Sequence, residues 1–342
     1  MAHLTEEVQL PQTRRRPTIV PLLPGLGLCA LAVVVSLLVN HLVPAVSALL
    51  IAIVLGMLLR NLVPLSAAFD AGLAFSAKKL LRLGVVLLGL QLVVGDVLGL
   101  GAGVVVVVIA VVVGGIAATL LIGKLMGIGF TQRLLIACGF SICGAAAVAA
   151  VDGVVEPDDD DEVVTAIALV VLFGTLMIPL VPLAAGALGL GPHDAGLWAG
   201  GSIHEVAQVV AAGGVIGGGA LGVAVIVKLA RVLMLAPVMA VISAVRRRRS
   251  AGTGGKRPPM MPLFVVGFIA MVALRSLGIV PEGIVDVASV VQNALLAAAM
   301  FALGAGVKIR NLIKVGPKPF ALAACSTVVV AGIALGGVML VA

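Results

Sequence analysis

From Pro21 to the carboxyl end, runs of about 20 apolar residues, each long enough to cross a bilayer, follow one another about eleven times. Hydrophobic residues make up 62% of the 342 positions and charged residues 11%, whereas a soluble domain carries about 25% charged residues. There is too little polar surface to coat a globule in water. In lipid, a backbone must satisfy its own hydrogen bonds, which restricts such a chain to helices or a closed barrel. The length of the runs selects helices, so the sequence predicts an all-α polytopic membrane protein whose main partner is the lipid bilayer.

The expected spans cover about 21–41, 43–62, 70–98, 102–123, 133–151, 163–190, 195–213, 219–245, 262–280, 285–306 and 319–342. Threaded alternately from a cytoplasmic amino terminus, 18 of the 22 Lys and Arg fall on the cytoplasmic side or at its boundary. The exceptions, Arg82, Lys228, Arg231 and Arg275, lie within spans. The acidic stretch from Glu156 to Glu162, with Glu282 and Asp286, then falls outside. This distribution obeys the positive-inside rule and predicts an outside carboxyl terminus. The polar first 20 residues, with Arg14, Arg15 and Arg16, read as a cytoplasmic tail rather than a cleaved leader.

The net charge of +7 does not point to nucleic acid, because a chain with one Trp and no Tyr lacks stacking platforms. Cys29, Cys138, Cys143 and Cys325 sit in apolar runs without metal-ligand spacing, so buried free thiols are expected, with no metal and no cofactor.

Transporters are often built from inverted repeats. Lys79-Leu80-Leu81-Arg82 matches Lys228-Leu229-Ala230-Arg231 at a separation of 149 residues. That offset pairs 43–190, spans two to six, with 195–342, spans seven to eleven, and leaves 21–42 as an extra amino-terminal helix. Five spans per repeat invert the second copy. Two discontinuous crossing helices are then expected in spans five and ten, at Gly139–Gly144 and Ala299–Gly306. A second match, Gly139-x-Ser141-Ile142 with Gly200-x-Ser202-Ile203, is offset by only 61 residues. It fits no repeat of whole spans, and in a chain so rich in Ala and Val it is as readily chance.

Ionisable residues inside a membrane usually have a function. Lys228 and Arg231 share a helix face and would supply positive charge to an anion, with Lys79 and Arg82 joining them through the repeat. The competing reading makes them structural charges neutralised by protein groups such as Glu205. Ser141, Gly144, Ser202 and Gly304 would present hydroxyl and backbone donors, since a helix amino terminus favours anions; close helix packing explains the glycines equally. His204, Glu205 and Gln208 are the coupling or gating candidates, with Glu205 either moving a coupling ion or pairing a neighbouring cation. The Asp158–Asp161 run reads as a solvated loop. No nucleophile–base–acid order is legible, and no enzyme is expected.

Ser141-Ile142-Cys143-Gly144-Ala145, Phe173-Gly174-Thr175, the block from Ser202 to Gly213, and Lys228-Leu229-Ala230-Arg231-Val232 resemble the signature blocks of the YeiH-type bacterial inner-membrane proteins, a group that carries a sulfate-exporter label. The resemblance spans nearly the whole chain. It implies the superfamily of sodium–proton antiporters and bile-acid symporters, with a core bundle of two crossed broken helices beside a panel, and it is compatible with a homodimer. The paired aspartates of the proton-antiporter branch are absent. The expected function is alternating-access transport of a small anion (sulfate, or an organic sulfonate or carboxylate) across the bacterial inner membrane, coupled to a proton or sodium ion. A passive anion channel, or a membrane-embedded enzyme or sensor, are the other classes.

Overall fold

A computed structural model describes residues 20–43, 48–155, 160–250, 262–308 and 316–341, and every regular element among them is helical. The expected tail at 1–19, residues 156–159 of the acidic run, the linker at 251–261 and the basic residues Arg310 and Lys314 lie outside the described residues.

Six stretches are long and apolar enough to cross a bilayer. They are α1 (Leu23–Leu42), α6 (Ala102–Leu125), α9 (Asp160–Ala187), α12 (Ala220–Leu233) continued by α13 (Leu235–Ser250), α15 (Glu282–Gly306) and α16 (Pro317–Val341). The most apolar window of α6 has a mean hydropathy of 3.0, and the helix lies between Gly101 and Gly127, both at positive φ. A helix apolar all round is what lipid on one side and protein on the other permit. Three further rods are α2 (Ala48–Leu62), α3 (Asp70–Phe75) joined through a π-helical turn (Ser76–Leu80) to α4 (Leu81–Leu88), and α14 (Leu263–Ser276). A short α5 (Val94–Gly99) leads into α6.

The rods form two bundles. In the panel, α1, α2, α3–α4, α14 and α15 pack on one another. Its tightest seam joins α2 to α15, where Gly56 faces the Phe301 carbonyl and Gly304 faces the Ile53 carbonyl. A β-carbon at either glycine would come within 2.1 Å of that oxygen, so the seam closes only because both side chains are missing. The core contains α6, α9, α12, α16 and four shorter helices.

Those four form two hairpins. The first joins α7 (Phe130–Cys138), through a π-helical turn at Gly139–Cys143, to α8 (Ala145–Val155). It doubles back: Gly139 packs against the Val148 side chain, and Phe130 and Val155, at its two ends, line one cavity. The second joins α10 (Pro192–Ser202) to α11 (Val206–Ile216) through Ile203–Glu205. It also doubles back. A β-carbon on Gly218, just past α11, would lie 2.8 Å from the Pro192 ring at the start of α10. In addition, α12 runs beside both arms: Gly196 and Gly200 of α10 face Ala220 and Ala224, whereas Gly213 of α11 faces Leu221.

This corrects the predicted topology. Spans five and seven do not cross but return to the end from which they enter. The ends differ, because the 28-residue α9, about 42 Å long at 1.5 Å per residue, carries the chain from one base to the other. Among the described residues, six helices are thus long and apolar enough to cross, three shorter rods stand beside them, and two of the eleven expected spans double back as hairpins. Span ten, α15, is an unbroken helix, so the expected pairing of breaks in spans five and ten does not hold. Glu162, at the end of the acidic run, moves as well. Glu162 approaches Gly129, and Asp152 shares a cavity with Arg60 and Lys78, so these acids lie at the basic end of the bundle. Cys325 is exposed rather than buried.

Candidate functional site

The hairpin tips meet in the middle of the core. The ascending arms α7 and α10 end there with free carbonyls, and the descending arms α8 and α11 begin there with free N–H groups, because each helix end leaves backbone groups without partners. A single neighbouring helix, α12, serves the carbonyls. Lys228 is fully buried, and its ammonium donates to the carbonyls of Ile142 (2.9 Å), Ile203 (2.9 Å) and His204 (2.6 Å). Arg231, also fully buried, donates from Nε to Ser141 O (3.2 Å) and from Nη2 to Phe140 O (2.8 Å). Its Nη1 serves Gly201 O (2.7 Å), Ile203 O (3.0 Å) and Gly200 O (3.3 Å). The two cations fasten both tips to α12 and neutralise the negative ends of both ascending arms. Their hydrogen-bond partners are all main-chain carbonyls, and Glu205 is not among them.

Glu205 serves the N–H ends. It is the N-cap of α11, where its side chain accepts the Gln208 N–H while the Gln208 side chain accepts the Glu205 N–H, a reciprocal capping box. The same carboxylate accepts the Ala145 N–H at the start of α8 (3.0 Å). Gly144 makes this approach feasible. Its φ of 79° and ψ of −136° suit glycine alone, and a β-carbon there would sit 2.3 Å from the Glu205 Cγ. Gln208 is seated on α9, donating to Val171 O (3.5 Å) over Gly174, which has no side chain to block it.

His204 is wholly buried between the hairpins and α16. Nδ1 lies 3.2 Å from Phe140 O and Nε2 lies 3.0 Å from Thr327 Oγ1, with the imidazole 4.4 Å from the Phe140 ring. A carbonyl only accepts, so Nδ1 carries a hydrogen. Ser202 turns its hydroxyl back to Trp198 O (2.7 Å). The Ser141 hydroxyl, buried without a partner, faces Gly115 of α6.

Of the candidate residues, Ser141, Gly144, Ser202, His204, Glu205, Gln208, Lys228 and Arg231 come together at the tips. Lys79, Arg82 and Gly304 do not. Lys79 is exposed on the π-helical turn, Arg82 stacks over Phe264 (5.6 Å) beside Gly153 near the end of α8, and Gly304 serves the α2–α15 seam. The matching Lys-x-x-Arg tetrads therefore occupy unrelated places. The match at 61 residues, as readily chance as not by sequence, falls on the two tips. Arg275 makes a two-pronged ion pair with Glu282 (2.9 and 3.1 Å). The Ala145 N–H and Thr327 were missed altogether; a backbone group gives no sequence signal, and Thr327 lies on a helix remote in sequence.

Three cavities lie between core and panel. One of about 590 Å³, at the end where the second hairpin is rooted, has Asn40, Gln91, Gln292 and Asn293 on its polar wall and α11 on its other wall. One of about 340 Å³ opens at the basic end between α8 and the ends of α2 and α15. Between them a pocket of about 50 Å³ touches Glu205, Cys143, Ala146, Val206 and Ala207. It shares Leu49, Val206, Ala207 and Leu296 with the 590 Å³ cavity.

A family model described as conserved hypothetical protein 698 matches residues 24–323. The chain belongs to the UPF0324 membrane-protein family. A family member from Corynebacterium glutamicum is 58% identical over 93% of this chain and 92% of its own length. The Paracoccus pantotrophus member named TauZ is 40% identical, covering 79% of this chain and 81% of its own. A Bacillus cereus member is 39% identical, covering 73% and 74%. No solved structure matches the chain. Family membership agrees with the YeiH-type signature blocks.

Proposed function

We propose that this UPF0324 protein is a secondary transporter of a small anion that works by alternating access at the hairpin tips. One arrangement carries the reading: two helix amino termini, α8 and α11, converge on one point, while the opposite ends of their partner arms are neutralised by Lys228 and Arg231. Partial positive charge gathers where an anion would bind, and the competing negative ends are cancelled. Lys228 and Arg231 would act as fixed background charge rather than as direct ligands. Sulfate, an organic sulfonate or a carboxylate fits such a cradle of N–H donors. The hairpins enter from opposite ends, 61 residues apart, and each is followed by a long helix, α9 or α12. We read them as the paired units of an inverted repeat.

The three cavities support alternating access over a channel. A cavity approaches the tips from either end, and the pocket between is much the smallest of the three, at about 50 Å³. Sliding of the core along the panel would open one side as it closes the other. We place the chain in the bacterial inner membrane with its basic end cytoplasmic, since Arg60, Lys78, Lys124 and Arg133 gather there. The reading is tested by uptake of labelled sulfate and methanesulfonate into proteoliposomes. Saturable uptake should be lost in Gly144→Ala, which forces a β-carbon onto Glu205. Saturable uptake that survives Gly144→Ala would move the site away from the tips, and failure of wild type to carry any of these anions would remove the transport reading.

A further inference from the structure

We infer that Glu205 is a tethered anion that fills the substrate position between transport events, so that an anion enters only together with a proton. This rests on the transport reading above. The residue type at the cap points there first. Ser, Thr, Asp and Asn are the preferred N-cap residues, because a short side chain reaches the first turn of its own helix. Glu is one methylene longer, and here the extra length carries the carboxylate across to a second helix. It holds the Ala145 N–H of the first hairpin while capping α11 of the second. An Asp would close its own helix and leave the other amino terminus open. The carboxylate therefore occupies the point where the two positive helix ends meet, which is the place an external anion would take.

The surroundings make this occupancy exclusive. The side chain is only partly buried, because it borders the 50 Å³ pocket. The pocket is far smaller than the cavities on either side, and the carboxylate stands at its core-side wall. Ala146, Val206 and Ala207 line the same pocket, and their N–H groups belong to first turns, which lack intrahelical acceptors. On the panel side the wall is apolar, formed by Leu49, Leu81, Val85 and Leu296 among others. The titratable groups around Glu205 are Lys228, Arg231, His204 and Cys143, all on the core side. Lys228 already donates to three carbonyls, and among the described residues no cation stands within ion-pair distance of the Glu205 carboxylate. Two anions sharing these donors would repel each other at close range.

The step balances in atoms and charge. A proton adds to a Glu205 oxygen and gives the neutral acid, whose hold on the Ala145 and Gln208 N–H groups weakens. The side chain turns away and the incoming anion takes both donors. On the other side the anion leaves, the proton dissociates, and the carboxylate returns to the two helix ends. One anion and one proton move together, without net charge transfer when the anion is monovalent.

Methanesulfonate uptake into proteoliposomes under an imposed pH gradient tests the inference. Wild type should accumulate methanesulfonate against its own gradient when the outside is acidic. Glu205→Gln, isosteric and permanently neutral, should lose this accumulation completely yet still exchange labelled for unlabelled methanesulfonate at a rate insensitive to pH. A second readout needs no transport. Glu205→Ala vacates the two helix ends, so acetate should raise its melting temperature by several degrees at concentrations that leave wild type unmoved. Proton-driven accumulation by Glu205→Gln, or equal acetate shifts in Glu205→Ala and wild type, would overturn the tethered-anion role while leaving the transport reading intact. Wild-type uptake that ignores the pH gradient would do the same. Wild-type vesicles that carry no anion would overturn both.

Discussion

At the scale of single residues, the molecule divides its buried charges between the two kinds of helix end. Lys228 and Arg231 take the carbonyl ends and Glu205 takes the N–H ends, so each group is held by hydrogen bonds to the main chain. A hydrogen bond to a charged group is worth about 1.5–3 kcal/mol, and an acceptor left buried without a donor costs about 1–3 kcal/mol. Lys228→Met removes three such bonds and orphans the Ile142, Ile203 and His204 carbonyls in a site closed to water. The variant should lose several degrees of melting temperature in detergent, and Lys228→Arg should not restore it, because a planar fork cannot aim three donors as an ammonium does. A melting temperature unchanged by Lys228→Met would contradict the fastening role. The residues legible in the sequence as belonging together here are those whose cost in lipid is highest. The choice between ligand and fastener depended on main-chain carbonyls that no residue letter records.

At the scale of elements, the hairpins carry the design. A re-entrant hairpin brings an irregular turn to membrane depth, which is tolerated only where protein buries it or it lines a cavity. The glycines at Gly139, Gly144, Gly200 and Gly213 let arms and neighbouring helix approach closely, and at Gly144 the backbone angle itself requires glycine. The topology has a direct check. Single cysteines replacing exposed His193 at the base of α10 and exposed Val215 near the end of α11 should both be labelled by a membrane-impermeant maleimide from one side, in a background without native cysteines. Labelling from opposite sides would mean that the segment crosses. This is also where the sequence was least legible. Between Arg133 and Lys228 the chain holds no Lys or Arg at all. Both hairpins fall in or at the edge of that gap, so the positive-inside rule had no marker with which to tell two crossings from two returns.

At the scale of the whole molecule, the core and panel meet across a seam with a cavity at each end and the tips between them. Leu49 of the panel and Val206 of the core line both the 590 Å³ cavity and the central pocket, so they stand on opposite walls of the path to Glu205. A disulfide between Leu49→Cys and Val206→Cys should hold the two bundles in this arrangement, abolish anion uptake, and release it again on reduction. Full uptake by the cross-linked protein would exclude relative movement of the bundles as the transport step.

The class of the molecule and the position of most rods were already written in the amino acids, because apolar length and the cost of a bare backbone in lipid select helices. The sequence also named most of the side chains that meet at the tips, because polar groups stand out in a chain that is 62% hydrophobic. Packing between distant segments set which broken segments double back, that α15 is continuous, and that Lys79, Arg82 and Gly304 stand elsewhere. Those outcomes depend on which helix ends face one another and on where glycine lets two backbones touch. Both are relations between segments distant in the chain, and a periodic apolar pattern is the same whether a helix continues through the bilayer or turns back at its middle.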